Sequence, residues 1–326
     1  MESILVAGGA GFVGSHACKA LAKAGYRPIT LDNLATGHAD AVKWGPLIKA
    51  DIRDAEAVRA ALVEHEITAV MHFAASSLVG ESVTRPALYY ENNVIATLRF
   101  LEALTAQGLK NIVFSSTAAV YGVAEQDPIT EESPLRPTNP YGETKRAIEG
   151  ALRWLSPAHG FSWTALRYFN AAGADEDAEI GERHDPETHL IPNMVRATLG
   201  TGPGLKVFGT DYPTPDGSAV RDYIHVTDLA EAHIAALLWQ RSGGESRAFN
   251  LGTGQGLSVL QMVAAAEAVL GKTPPYELAG RRAGDPPSLV ADPSAAQTAF
   301  GWKATRSDPE TLIRTAAAFE KTRLAG

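Results

Sequence analysis

The chain is poor in cysteine, in positive charge and in long apolar runs. Cys18 is the sole cysteine among 326 residues, so no internal disulfide and no cysteine-based metal site can form. It falls in a predicted helix and reads as a small buried residue. Acidic side chains outnumber basic ones, 37 to 29, for a formal net charge of −8. Broad nucleic-acid binding is excluded, because it needs a basic surface to displace counterions. An anionic ligand would have to be met locally. No stretch approaches the roughly 18 uninterrupted apolar residues of a membrane span. MESILVAGG at the N-terminus has neither a basic start nor an apolar run of secretory length, so the cytoplasm is the expected compartment. The nine histidines are scattered, without an H-x-x-x-H pair. Structural roles are expected for them, and no metal site.

What is present is a globular composition, 45% hydrophobic and 20% charged. Short apolar runs alternate with helical patterns. Strands are predicted at 3–7, 27–31, 46–50, 69–73, 111–115 and 161–168, with helices between them. Such alternation implies parallel strands joined by right-handed crossovers. The expected fold is α/β, a Rossmann-type doubly wound parallel sheet with a second, smaller α/β lobe. Residues 1–170 are assigned to the first domain, with segments around 219–253 returning to it, and 171–326 mainly to the second. Helices are predicted at 227–240, 258–270 and 309–323, the middle one capped by Ser258.

The first strand runs into GGAGFVG, residues 8–14, and a helix follows. Gly8, Gly11 and Gly14 would allow a tight turn and close backbone approach, and the helix N-terminus offers free N–H groups to a pyrophosphate. Asp32 closes the second strand 18 residues after Gly14. A carboxylate there accepts hydrogen bonds from an adenosine ribose and repels a 2′-phosphate, which favours NAD over NADP. Asp51 is a candidate adenine or ribose neighbour, or equally a turn or cap residue.

Residues 139–145 read NPYGETK. Pro140 suits the first helical position and Asn139 the N-cap, so Tyr141 and Lys145 share one helix face. Alone the pair could be a solvated surface. Beside a nicotinamide it becomes a proton-transfer pair. A phenol acting near pH 7 needs roughly 4 kcal/mol of differential stabilisation of its anion, to which a neighbouring ammonium and the positive nicotinamide ring contribute. Ser115, Ser116 and Thr117 put hydroxyls at the end of the fifth strand, where the crevice of such a sheet opens; each taken alone is more commonly a cap or turn residue.

Glycine loop, strand-end hydroxyls and Y-x-x-x-K, in this order, resemble the extended short-chain dehydrogenase/reductase family. LDNL (31–34), DIRD (51–54), HFAA (72–75), YYENNV (89–94), RYFNAAGA (167–174), HLIPN (189–193), VRDYIHVTDLA (220–230) and RRAGDPP (281–287) narrow the resemblance to its UDP-glucose 4-epimerase branch. It covers nearly the whole chain. What it implies is a bound NAD and interconversion of UDP-glucose and UDP-galactose by transient oxidation at C4. Tyr141 would be the base, Thr117 would bond the reacting oxygen, and Lys145 would also hold the nicotinamide ribose. Phe12, Val13, Asn33, Ile52, Phe73, Ala74, Ala75, Asn92, Ser115, Ser116 and Tyr168 would line the cofactor. Asn170, His189, Leu190, Arg221, Tyr223 and Arg282 would meet the UDP-sugar, with Lys206 and Phe208 near the uracil and Asp285 near the ribose. A homodimer is expected, pairing through the apolar helix around 89–104.

Two positions depart from the branch. Ser77 stands where some members place a lysine on the cofactor phosphate, which bears on how tightly NAD is held. Leu289 occupies a pocket-wall position that is bulky in some members and small in others; leucine is intermediate, which leaves UDP-N-acetylglucosamine open as a substrate, while pocket size and one arginine decide between these and UDP-pentoses or UDP-glucuronate. Ala118 and Ala119 follow Thr117 where a 4,6-dehydratase carries an acidic pair, which argues against that chemistry. A non-catalytic NAD-binding regulator is disfavoured by the intact Tyr–Lys pair.

Overall fold

The computed structural model describes residues 1–282 and 285–325; Ala283 and Gly284 of the RRAGDPP motif lie outside the described residues. Its centre is a seven-stranded parallel sheet of β1 (Ser3–Ala7), β2 (Arg27–Asp32), β3 (Leu47–Lys49), β4 (Ile67–His72), β5 (Asn111–Thr117), β6 (Ser162–Tyr168) and β7 (Arg247–Leu251). Their order across the sheet is β7-β6-β5-β4-β1-β2-β3. All five residues of β1 are buried, because helices cover both faces of the sheet. Leu5 and Ala7 join one core with Val58 and Leu62 of α2 (Ala55–Glu64), Phe100 and Leu104 of α3 (Ala96–Ala106), and Ile148 and Leu152 of α4 (Pro140–His159). Ile4 and Val6 point the other way, to Ala17, Cys18 and Leu21 of α1 (Phe12–Lys23) and Leu229, Ala232 and Leu237. That alternation is the period-two geometry of a strand. Each fully buried Leu or Ile contributes roughly 1.5–3 kcal/mol.

β1 lies between β2 and β4, so the chain reverses its direction of winding at the carboxyl end of β1. In open α/β sheets that point opens the ligand crevice. Gly25, at φ +85°, turns the chain out of α1.

The second lobe packs α5 (Leu190–Leu199) against the helices Val259–Leu270 and Pro309–Ala325 around Met194, Val195, Met262 and Ile313. Ser258 caps the first of these two in a capping box with Gln261. Between lobe and sheet runs a small three-stranded sheet in which Val220–Arg221 lies between Leu257–Ser258 and Ser288–Leu289. After it the chain re-enters the main body: α6 (Val226–Arg241) covers the sheet face beside α1, and β7 pairs with β6 at the sheet's edge.

Candidate active site

β1 delivers the chain to Gly8, whose φ is +82°. A Cβ there would sit 2.5 Å from the Ala74 amide nitrogen, and one on Gly14 would lie 2.1 Å from the Gly8 carbonyl oxygen. Glycine is therefore a steric requirement at both positions. Gly11 is the N-cap of α1 and supplies no side-chain cap, so the first N–H groups of the helix keep their donors for a ligand. A backbone cradle that side chains would fill, at the end of β1, fits a dinucleotide's pyrophosphate. Phe12 and Val13 form the first turn; Val13 packs into the core and the Phe12 ring meets His16 edge-on at 5.3 Å.

Asp32 ends β2, nearly buried. One carboxylate oxygen accepts from Ala10 N at 3.0 Å and the other from Leu34 N at 2.8 Å, which fixes the group at the crevice while its remaining lone pairs stay available to a ribose. Asn33 donates to Asp51 at 2.9 Å. Asp51 is clamped by the Arg53 side chain at 2.8 and 2.9 Å, and this guanidinium above all holds its carboxyl down at about 2. Of the two roles expected for Asp51, the turn role is thus occupied; Asp54, not Asp51, caps α2. Ile52 is buried in the core.

On the opposite wall, Phe73, Ala74 and Ala75 follow β4, and the amides of Phe73 and Ala74 both donate to the Ala7 carbonyl, at 2.7 and 3.0 Å. Asn92 donates to the Ser76 hydroxyl at 2.9 Å. It sits in a π-helical turn, Tyr90–Ile95, where a single continuous helix was expected. Such turns rotate side chains out of α register and concentrate at functional sites. The turn also buries Asn93, a residue the sequence did not single out. Its amide accepts from Ser76 N at 2.8 Å and donates to Ser76 O at 3.0 Å and to Thr144 at 3.1 Å. Asn93 thereby locks the loop after β4 onto α4. Ser77 is exposed.

At the end of β5 the expected group assembles. Asn139 accepts from Gly142 N at 2.9 Å and caps α4, with Pro140 at its first position. The Tyr141 phenol lies beside Thr117, whose hydroxyl accepts from Ala119 N at 3.1 Å. Burial pushes the Tyr141 phenol up to about 12, with Thr117 pulling the other way. Burial also pushes buried Lys145 down to about 7, against the attraction of Glu149. The Lys145 ammonium donates to the Ser115 carbonyl at 2.8 Å and lies 4.8 Å from the Phe114 ring centre. Ser115 Oγ meets the Tyr168 hydroxyl.

Ser116 corrects the sequence reading. Its side chain alternates to the other side of β5 from Ser115 and Thr117. There, fully buried, it donates to Glu149 at 2.5 Å rather than facing a cofactor. Glu149 is held by Arg167 through two bonds of 3.0 and 2.6 Å. Arg167 reaches Tyr121 at 2.8 Å, and Tyr121 donates to Asn250 at 2.7 Å. This buried network ties β5, β6, β7 and α4 together behind the crevice.

A second cluster lies where the small sheet meets the lobe. Arg221 is partly buried, and among the described residues no carboxylate lies within 4 Å of its guanidinium; its own bond runs to Val220 O at 2.8 Å. Desolvation lowers its pKa, opposed by the charge of Asp285. A desolvated, unpaired guanidinium calls for an anion. Leu289 is its register partner across the sheet and packs against Ala118, Val120 and Tyr121, just beyond Thr117. Asn170 begins a short strand that pairs with buried Tyr223, and burial raises that phenol. Arg282 stacks 4.7 Å over the Phe208 ring and lies 3.4 Å from Asp285. Lys206 faces solvent, its ammonium 3.1 Å from Glu277. His189 is the N-cap residue of α5 and Leu190 its first residue.

His189 also corrects the picture of scattered histidines. Its Nδ1 and that of His184 both contact Glu182 Oε1, the latter at 2.9 Å, and Glu187 lies 3.8 Å from His184. A five-residue spacing matches no helical ligand pattern, so the sequence gives no signal for the pair.

Residues 4–252 match the NAD dependent epimerase/dehydratase family. A UDP-glucose 4-epimerase of Halalkalibacterium halodurans is 49% identical over 311 residues, which cover 95% of this chain and 93% of that one. The crystal structure of UDP-glucose 4-epimerase from Brucella ovis in complex with NAD superposes with a TM-score of 0.95 at 48% identity, covering 97% of this chain and 98% of that chain. The Bifidobacterium longum UDP-glucose 4-epimerase, in complex with NAD+ and UDP, gives a TM-score of 0.93 at 37% identity and covers 99% of each chain.

Proposed function

Because the chain belongs to the NAD dependent epimerase/dehydratase family, we propose that it interconverts UDP-glucose and UDP-galactose by transient oxidation at C4, with NAD held in the glycine cradle. The observation that carries the reading is the Thr117–Tyr141–Lys145 group standing at the sheet's crevice beside that cradle.

NAD, when bound, supplies the reversible two-electron oxidant for C4. Tyr141 takes the proton of the sugar's 4-hydroxyl and returns it, and Thr117 bonds the same oxygen. The phenol of the protein alone sits at about 12, so it needs nearby positive charge to act as a base. Lys145, oriented by the Ser115 carbonyl, supplies part of it. Arg221 offers the desolvated donor fork that a diphosphate fits, with Arg282 and Phe208 beside it. Leu289, in register with Arg221, stands between the diphosphate site and the strand-end hydroxyls. It is placed to set the room available to the sugar.

Residues 1–170 with 219–253 form the cofactor-binding part in this reading, and the remainder mainly the UDP-sugar part. The protein works in the cytoplasm as a homodimer; Tyr90, Ile95 and Leu98 leave apolar surface exposed along one helical stretch, which a partner copy would cover. The intermediate size of Leu289 supports a second reading, in which UDP-N-acetylglucosamine is also turned over.

The test is epimerisation of UDP-galactose by the purified protein with and without added NAD, together with Tyr141→Phe. Turnover without addition supports a retained cofactor. The variant is expected to lose about 10²–10⁴-fold in kcat with UDP binding intact. Unchanged turnover by Tyr141→Phe removes the base role. No turnover of any UDP-hexose by the folded wild type removes the whole reading.

A further inference from the structure

Two clusters of ionisable side chains lie on the segment between the short strand Asn170–Ala172 and α5, and they differ in kind. Asp175, Asp177 and Glu179 already enclose a cation: the Lys19 ammonium, at 2.7, 2.8 and 2.6 Å. Glu182, His184, Glu187 and His189 enclose none. Each offers a ligand atom, and the four atoms lie within 4.8 Å of one another. The carboxylates of Glu182 and Glu187 are both 4% exposed, while the His184 and His189 side chains, at 22% and 46%, leave a path from solvent. Glu187 Oε1 accepts from the Thr188 and His189 amides at 2.9 and 3.0 Å. Its other oxygen is buried without a hydrogen-bond partner, the nearest cation being Arg196 at 3.9 Å. A buried carboxylate oxygen left unbonded is costly.

We propose that Glu182, His184, Glu187 and His189 form a binding site for a divalent transition-metal ion, zinc by ligand preference, at the start of α5. Two imidazole nitrogens and two carboxylate oxygens are a donor set that zinc takes in tetrahedral geometry. The two Nδ1 atoms already converge on one Glu182 oxygen; for zinc bonds of about 2.0–2.2 Å that oxygen draws back and the four ligand atoms close around the ion. The ion takes the place of the protons that the two imidazoles share with Glu182. The His184 ring also sits edge-on to Phe12 of the glycine cradle, at 6.5 Å, so the site bridges the first turn of α1 and the beginning of α5. The inference is independent of the sugar-nucleotide reading.

The full-length protein, stripped with a chelator and dialysed, is titrated with zinc chloride by calorimetry. One zinc per chain is expected, with His184→Ala and Glu187→Gln each weakening it about tenfold or more while circular dichroism stays unchanged. Cobalt(II) is expected to give the visible absorption of a four-coordinate site, lost in the same variants. Should a variant misfold, diethyl pyrocarbonate labelling of the wild type decides: zinc is expected to shield His184 and His189 and no other histidine. Zinc that binds substoichiometrically, that binds folded variants equally well, or that leaves both histidines open to labelling overturns the proposal.

Discussion

The Lys145 ammonium lies 6.0 Å from the centre of the Tyr141 ring and gives its hydrogen bond to the Ser115 carbonyl at 2.8 Å. The lysine is thus anchored by the strand end, one helical turn behind the phenol it is to assist. Both groups are shifted toward their neutral forms by burial, which leaves the pair poised until further charge arrives in the crevice.

Lys145 predicts a pH dependence of stability. Its folded pKa, about 7, lies below its ordinary value of 10.5. Between these limits the unfolded chain binds the extra proton, so stability rises with pH there. Its penalty is full below pH 7 and fades toward pH 10.5. Urea unfolding of cofactor-stripped wild type and Lys145→Met at pH 6.5 and pH 9 measures this. The wild type is expected to gain relative to the variant by on the order of 2 kcal/mol at the higher pH; an equal response in both proteins refutes the assignment.

Gly14→Ala tests the cradle. The added methyl would lie 2.1 Å from the Gly8 carbonyl oxygen, a backbone atom that cannot swing aside. Purified variant is expected to carry little or no NAD by absorbance after denaturation, while its circular dichroism retains the α/β signature.

Arg221→Ala removes the one unpaired guanidinium described in the second cluster. Losing a charge-assisted bond costs about 1.5–3 kcal/mol, so UDP affinity is expected to fall about 10–100-fold. KM should rise more than kcat falls. A loss confined to kcat would place Arg221 elsewhere in the reaction.

Arg167→Met strands the Glu149 carboxylate, whose partner side chain is 5% exposed and itself 3%. Breaking one half of a buried pair costs about 3–5 kcal/mol. A lowered urea midpoint is expected, with partial recovery in Arg167→Met/Glu149→Leu.

Local signals in the sequence carried most of the sheet. β1 to β6 fall within two residues of their predicted bounds, because apolar runs punctuated by glycine and helix caps are short-range information. β7 was missed: RAFNL has a polar start, and it becomes a strand only by pairing with β6, far back in the chain. The π-turn at Tyr90–Ile95 was missed because side-chain periodicity does not distinguish an i+5 from an i+4 hydrogen bond. In the site, Tyr141 and Lys145 were legible as one helix face, with Asn139 as its cap. Ser116 could have been placed correctly by strand alternation alone. Asn93, the Glu149–Arg167 pair and the meeting of His184 with His189 depend on tertiary placement and left no sequence trace.

The late return of β7 has a consequence on the ribosome. β6 ends at Tyr168, and its outer neighbour begins only at Arg247, 79 residues later. At about 5–20 residues per second, a nascent chain displays that bare strand edge for roughly 4–16 s. An unpaired, largely apolar edge is a template for pairing with other chains. Any delay in translation between those two points prolongs that exposure, and a product truncated before Leu251 never closes the edge.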